Sequence, residues 1–194
     1  FNKKYGGYEY NSDVYGGLYT ALKNWEEPLT KSLQAHTNGA ARVLKTSDKG
    51  NVIYSGGSDG RIIRWNFANQ QWNAEMIVDK RQDYMVFTLD ISPDGNTLVV
   101  GGLYPSNPEA NYAELYDLRN LSVPARKIPG FRYNIENLHF TPDGKGFYAR
   151  DNSGLSIKYS DLTTVREVIT PDEKIVSLDL NNNGTLLAGA GDKG

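Results

Sequence analysis

The sequence predicts an all-β domain made of repeated antiparallel sheets, and two observations support this. Gly and Tyr are abundant, at 20 and 13 residues, which favours turns and strands over helices. Short apolar runs also alternate with Gly-containing turn signals along most of the 194 residues. A chain of this length can bury a sizeable hydrophobic core.

Four turn signals recur at similar spacing and set the predicted architecture. Their glycines, Gly50, Gly95, Gly144 and Gly184, lie 40 to 49 residues apart. A short apolar run precedes each turn and a second strand follows it; in the first three units a third and a fourth strand come next. Four short strands in about 40–45 residues is the period of a β-propeller blade. The pattern therefore predicts four-stranded antiparallel blades, of which about three and a half are visible.

Composition excludes several classes of function. The 21 basic and 23 acidic side chains nearly balance, so no overall field favours nucleic acid or an anionic membrane as a partner. The chain has no cysteine, which excludes disulfides, thiolate metal sites and a cysteine nucleophile. It contains no apolar run of membrane-spanning length and does not open on a signal peptide. We therefore expect a cytoplasmic location.

The stretch SGGSDGRIIRWNF, Ser55–Phe67, places a lone tryptophan at the far end of a strand that follows an Asp-Gly turn. With the repeats, this stretch resembles the WD-repeat (Trp-Asp repeat) β-propeller family over about residues 29–194. The resemblance implies a hydrogen-bonded structural tetrad that staples the first blade. Its members would be His36, Ser55, Asp59 and Trp65.

Later units depart from this motif. Asn66 replaces the Asp of Trp-Asp in the first unit, and Tyr116-Asp117 and Tyr159-Ser160 stand at the motif position in the next two. Neither of those units has an equivalent histidine. We therefore expect the full tetrad in blade 1 alone, with the other blades held by packing.

The resemblance also predicts the domain organisation. Family members usually close into rings, so the chain is predicted to supply half of a seven-bladed ring, with a short helical lead-in before it. That lead-in resembles the segment preceding propellers in large bacterial multidomain signalling proteins. The predicted bounds are 1–28 for the lead-in, 29–194 for the partial propeller, 29–34 for a closing outer strand, 36–83 for blade 1, 84–133 for blade 2, 134–173 for blade 3 and 174–194 for the start of blade 4.

One polar position recurs in the innermost strands and leaves two interpretations open. Asp90, His139 and Asp179 each stand five residues before a turn glycine. A polar side chain there can bond the backbone of the adjoining blade, which is the structural interpretation. The alternative is a propeller enzyme or small-ligand receptor that uses the central channel. No nucleotide, calcium or nucleophile motif accompanies these residues, so we expect no cofactor and no metal.

The preferred functional hypothesis is a non-catalytic protein–protein interaction or sensor scaffold within a larger protein. Partners of this family often bind the face formed by the connections between blades and between the second and third strands. We expect a protein or peptide partner there, besides the remaining blades of the same parent protein. The enlarged connection Leu103–Asn111 belongs to this face, and its candidate contact residues are Arg81, Tyr84, Tyr104, Arg132, Tyr133 and Arg150.

Overall fold

The computed structural model of the protein describes residues 34–47, 50–69, 71–80, 83–107, 111–169 and 174–192. These residues form fourteen β-strands and contain no α-helix, in agreement with the predicted all-β fold. None of their elements is a helix long and apolar enough to span a membrane. The predicted lead-in helix at 1–28, and all of the predicted closing strand at 29–34 except Gln34, lie outside the described residues.

Consecutive strands pair antiparallel into sheets, in the order in which they follow one another along the chain. Sheet 1 contains β1 (Ala41–Thr46), β2 (Val52–Gly57), β3 (Arg61–Ala68) and β4 (Gln71–Asp79). Sheet 2 contains β5 (Met85–Ile91), β6 (Thr97–Leu103), β7 (Ala113–Asp117) and β8 (Arg126–Ile128). Sheet 3 contains β9 (Ile135–Phe140), β10 (Phe147–Asp151), β11 (Ile157–Ser160) and β12 (Val165–Ile169), and sheet 4 contains β13 (Ile175–Leu180) and β14 (Leu187–Gly191).

The four repeated glycines make the turn between the first and second strands of each sheet. Gly50, Gly95, Gly144 and Gly184 adopt φ angles of +67°, +74°, +68° and +70°. These are left-handed conformations that glycine adopts without a steric penalty, which explains why the repeat places a glycine there. Each glycine also donates its backbone N–H to the carbonyl three residues earlier, at 2.8–3.0 Å. The same turn thus sets the same strand register four times.

Three apolar clusters join neighbouring sheets face to face. Sheets 2 and 3 contribute residues from their two faces to the clusters on either side, since successive side chains of a strand point to opposite faces. The cluster between sheets 1 and 2 includes Tyr54, Ile62, Val86, Leu98 and Val100. The cluster between sheets 2 and 3 includes Leu115, Ile128, Ile135, Phe140 and Phe147, and the one between sheets 3 and 4 includes Ile157, Ile175 and Leu178.

One repeated leucine differs in exposure between the sheets. Leu89, Leu138 and Leu178 stand six residues before a turn glycine and are 3%, 1% and 3% exposed. Leu44 has the same position in sheet 1 and is 67% exposed. Its counterparts belong to the clusters that join each sheet to the preceding one. The described residues therefore leave Leu44 uncovered on the side of sheet 1 that faces away from sheet 2.

Candidate interaction surface

The four residues predicted as a tetrad lie together in sheet 1 and its connections. Trp65 Nε1–H donates to Ser55 Oγ at 2.9 Å, and Ser55 Oγ lies 2.8 Å from His36 Nε2. His36 Nδ1 lies 2.9 Å from Asp59 Oδ1. Because the Asp59 carboxylate can only accept, Nδ1 carries the imidazole hydrogen and Nε2 accepts from the serine hydroxyl. The chain of bonds ties the connection before β1 to the turn between β2 and β3.

The backbone beside the tetrad has no room for a larger residue. A Cβ placed on Gly57 would lie 2.5 Å from both Asp59 Oδ1 and His36 Nδ1. Side-chain atoms do not approach a Cβ that closely without displacement. Gly57 therefore allows the His36–Asp59 bond to pass close to β2.

Sheet 2 contains a charged network where packing alone was expected. The carboxylate of Glu114, 1% exposed on β7, accepts from the ammonium group of Lys80. It also accepts from the hydroxyls of Tyr104 and Tyr116, each at 2.5 Å. Burial by itself raises the pKa of Glu114, but the bonds from Lys80 and the two tyrosines outweigh it and hold that pKa below its ordinary value. The network joins the connection before β5, strand β7 and the enlarged connection.

Sheet 3 has a third arrangement, which also differs from the expectation of packing alone. Lys158 Nζ on β11 donates to Asp151 Oδ2 at 2.8 Å, and both residues are buried. The hydroxyl of Ser153 donates to Asp151 Oδ1 at 2.5 Å. Burial raises the pKa of Asp151, whereas the bonds from Lys158 and Ser153 lower it, and the net shift is downward. Buried charges are retained where they are paired in this way.

Strand register corrects one motif assignment in sheet 3. Trp65 pairs with Ile53, and Tyr116 pairs with Leu98. Ile53 and Leu98 each stand three residues after the turn glycine of their sheet. The residue at that position in sheet 3 is Phe147, which pairs with Ser160. Ser160, and not Tyr159, therefore corresponds to Trp65. The motif reading was wrong by one residue because β11 carries its aromatic residue on the opposite face.

The predicted binding face is only partly exposed. Tyr84 is 1% exposed and Arg150 is 4% exposed, so neither can be a primary contact for a partner. The Arg150 guanidinium is held by Glu136 at 2.8 Å and by Asn137 at 3.2 Å. The sequence predicted Tyr84 and Arg150 as surface contacts, but both side chains are buried within the fold.

The remaining candidates divide into three groups. Tyr104 is half-buried in the Glu114 network, whereas Arg132 is exposed and Tyr133 is 42% exposed. The Arg132 guanidinium carbon lies 5.6 Å from the centre of the Tyr133 ring. Arg81 lies outside the described residues. Arg132 and Tyr133 therefore form the accessible part of the predicted face.

Sequence reasoning missed two residues beside this part of the face. The Tyr112 ring centre lies 5.0 Å from that of Tyr104, and Lys127 Nζ lies 4.3 Å from the Tyr112 ring centre. Asn111 Nδ2 donates to the carbonyl of Arg132 at 2.8 Å, which brings the Tyr112 side of sheet 2 next to the connection that carries Arg132. No local pattern singles out these two residues: the glutamate inside the apolar strand AELYD signals a nearby cation, and the fold supplies Lys80 as that cation.

The polar position of the innermost strands borders an open cleft of about 520 Å³. Lys45 shares this position in sheet 1, and its Nζ lies 2.7 Å from Asp90 Oδ1. His139 Nε2 lies 2.8 Å from the carbonyl of Leu178 in the next sheet, so it is a donor there. Asp179 is exposed. Within the described part of the chain, no three His, Cys, Asp or Glu side chains are grouped so as to hold a metal ion.

Comparison with known proteins identifies the class of fold. Residues 27–66 match the sequence model of the WD40 family, described as "WD domain, G-beta repeat". A crystal structure of RRP9 WD40 repeats superimposes with a TM-score of 0.60 at 18% identity, over 77% of this chain and 44% of that one. The fold is therefore that of a β-propeller similar to WD40 repeats, with three four-stranded antiparallel sheets and one two-stranded sheet among the described residues.

Two curated proteins are similar in sequence. A mitotic checkpoint protein bub3 of Dictyostelium discoideum is 24% identical over 157 residues, which is 79% of this chain and 44% of that protein. A histone acetyltransferase type B subunit 2 of Candida glabrata is 21% identical, over 80% of this chain and 46% of that protein. The chain thus spans less than half the length of the curated relatives that it matches.

Proposed function

We propose that the chain is part of a non-catalytic scaffold for protein–protein interaction, and that it binds a protein or peptide partner through the connections above sheets 2 and 3. The exposed pair Arg132 and Tyr133 carries the proposal. Arginine and tyrosine supply much of the binding energy at protein interfaces, and this pair stands on a rigid framework of packed sheets.

The internal polar networks fix the loops in one conformation, which supports a role in presenting a binding surface to a partner. The tetrad of sheet 1 and the Glu114 network of sheet 2 both tie loops to strands, through Asp59 and Tyr104 respectively. A loop held in one conformation loses little entropy when a partner binds. The similarity to a protein named as a subunit of an acetyltransferase is consistent with a role in an assembly.

The setting of the chain in a larger protein is also part of the proposal. Further blades of the same parent protein would cover Leu44 on sheet 1 and complete sheet 4. We further propose a cytoplasmic location and a parent among bacterial multidomain signalling proteins. The parent gene sequence and fractionation of the source cells test these two points.

A photo-crosslinking experiment tests the interaction surface. A benzophenone amino acid replaces Tyr133 in the intact protein, and in a control it replaces Lys145, an exposed residue of the turn between β9 and β10. We expect defined protein adducts, identified by mass spectrometry, from position 133 and none of the same identity from position 145. Identical adducts from both positions, or none from position 133, would overturn the proposed surface.

A further inference from the structure

A row of three tyrosines with mutually tilted rings lies in the connections of sheet 2 and ends at the surface. The ring centres of Tyr84 and Tyr104 lie 4.5 Å apart, and those of Tyr104 and Tyr112 lie 5.0 Å apart. Tyr84 is buried at the inner end, and Glu114 accepts the Tyr104 hydroxyl. The rings are therefore fixed from within, while Tyr112 keeps partial exposure at the outer end.

Two exposed cations lie near the outer end of this row: Lys127, over the Tyr112 ring, and Arg132, whose carbonyl accepts from Asn111 next to Tyr112. Among the described residues neither forms an ion pair with a carboxylate within 4 Å. Lys127 lies over the Tyr112 ring, and a hydrogen bond with Tyr112 raises the pKa of this lysine. Arg132 lies over Tyr133. By contrast, cations such as Arg64 and Lys158 each lie within 4 Å of an acidic side chain. Glu114, which is already paired with Lys80, also attracts Lys127, but the Lys127 and Arg132 side chains are exposed and can receive carboxylates of a partner.

We propose that the surface formed by Tyr112, Lys127, Arg132 and Tyr133 binds an acidic, extended protein segment. Carboxylates of the segment would pair with Lys127 and Arg132, and its aliphatic parts would pack on the two tyrosine rings. The proposal rests on the proposed scaffold function and names the partner chemistry of that same face. A protein segment is favoured over nucleic acid because the chain has a net charge of −2 and this surface offers only two free cations.

Fluorescence polarisation with a labelled ten-residue peptide of alternating glutamate and alanine tests the proposal on the intact protein. The matched probes are the same peptide with glutamine in place of glutamate, and a single-stranded ten-nucleotide DNA. We expect binding of the glutamate peptide only, and weaker binding as salt rises, because exposed ion pairs are screened. Equal binding of the glutamine peptide, or tighter binding of the DNA, would overturn the acidic-segment assignment.

Matched variants locate the binding site. In the double variant Lys127→Gln and Arg132→Gln we expect affinity for the glutamate peptide to fall about fivefold to tenfold. This is the loss of affinity expected when two exposed ion pairs are removed. The control, Lys145→Gln with Arg166→Gln, removes the same charge from exposed cations of sheet 3 and should change affinity less than about twofold. Arg132→Gln alone, at an exposed site, serves if the double variant fails to fold. Equal losses in test and control variants refute the site.

The two proposals can fail separately. If the glutamate peptide does not bind while adducts still form at position 133, the scaffold function stands and the partner is not acidic. If neither occurs, both proposals are wrong. Peptide binding that survives Arg132→Gln unchanged places the acidic site elsewhere on the protein and overturns this inference.

Discussion

Asp90 accepts a hydrogen bond from the backbone amide of Phe140, a residue of the next sheet, with 2.7 Å between Oδ2 and N. The other carboxylate oxygen of Asp90 accepts from the amide of Ile91 and pairs with Lys45 of the preceding sheet. His139 repeats the arrangement one sheet further on, where it reaches Leu178. At this repeated strand position, a side chain therefore bonds the backbone of the next sheet. This agrees with the structural interpretation of the recurring polar position made from the sequence.

The tetrad gives the first prediction. Asp59→Ala removes the acceptor of the His36 Nδ1–H and should lower the free energy of unfolding by about 1–3 kcal/mol, the cost of leaving a buried polar group without a partner. Trp65 keeps its acceptor Ser55, so the loss falls on His36 and on the backbone amide of Arg61, which also donates to Asp59 Oδ1 at 3.3 Å. The control Asn152→Ala, at an exposed turn of sheet 3, should cost clearly less. Thermal melts compare the two variants, and equal shifts would contradict a stabilising role for the tetrad.

The Glu114 network gives a prediction with a pH dependence. Bonds from Lys80, Tyr104 and Tyr116 hold the pKa of Glu114 in the folded state below its ordinary value, despite burial. A carboxyl group whose pKa is lower in the folded state than in the unfolded state stabilises the fold. This stabilisation is fully present above the unfolded-state pKa of about 4.3 and is lost as the pH falls through the folded-state pKa. Glu114→Gln should therefore cost most at pH 7 and progressively less below about pH 4.

The control for this prediction is Glu75→Gln. Glu75 is paired with Arg64, but its side chain is 50% exposed, so the loss should stay within about 1 kcal/mol at every pH. Denaturant unfolding of the wild type and both variants between pH 3 and pH 7 measures the difference. A cost of Glu114→Gln that does not change with pH would show that the carboxylate charge contributes nothing.

The two tyrosines once grouped on the predicted face should now behave differently. The Tyr84 hydroxyl is buried without a hydrogen-bond partner among the described residues, and burial raises the pKa of Tyr84 well above its ordinary value. Tyr84→Phe should therefore leave stability unchanged or raise it by up to about 1 kcal/mol, since it removes an unsatisfied polar group. Tyr84→Ala should cost about 3–5 kcal/mol through the cavity that it leaves.

Tyr133 is the matched surface residue. Tyr133→Ala should change the unfolding free energy by no more than about 0.5 kcal/mol, because the ring is partly exposed and takes part in no buried network. Thermal melts and adduct or peptide binding on the same samples separate the two roles. A Tyr84→Phe variant that melts far below the wild type would indicate a bond to its hydroxyl from elsewhere in the protein.

Much of the fold was predictable because it depends on local signals. The turn glycines, with φ near +70°, must be glycine or a similarly tolerant residue, so they mark the strands in the sequence. The tetrad was predictable for a related reason, since its histidine, serine, aspartate and tryptophan all belong to one unit and form a known pattern.

The network of sheet 2 was not predictable because its central ion pair joins distant residues, whereas the sheet 3 pair Lys158–Asp151 is only seven positions apart and was missed because both residue types are common on surfaces. Lys80 and Glu114 are 34 positions apart, and no local pattern links them. The burial of Tyr84 and Arg150 was missed for the same reason: both residue types are common on surfaces, and only packing between sheets places them inside. The motif assigned Tyr159 to the position of Trp65, whereas the strand pairing assigns Ser160. A motif therefore determines which face of a sheet a residue occupies less reliably than strand pairing does.

The last prediction concerns the two end faces of the array. Leu44 is exposed where its three counterparts pack against a preceding sheet, and β14 has a free edge among the described strands. Asp179 accepts the amide of Leu180 with Oδ1 just as Asp90 accepts that of Ile91, but it stays exposed. An apolar face and an open edge together favour association. We therefore predict that residues 1–194 expressed alone associate or precipitate, and that further blades of the parent protein cover both ends.

Two measurements check this prediction. Light scattering on the isolated chain should find assemblies, and a soluble, cooperatively melting monomer of 21.6 kDa would refute the half-ring prediction. In the intact parent protein, Asp90→Ala should cost about 1–3 kcal/mol because it leaves the buried Phe140 amide without its acceptor. If a further sheet packs on sheet 4 as sheet 3 packs on sheet 2, Asp179→Ala should cost the same there, since its Oδ2 would accept an amide of that sheet. A cost for Asp179→Ala near zero in the parent would mean that no blade docks on sheet 4 in this way.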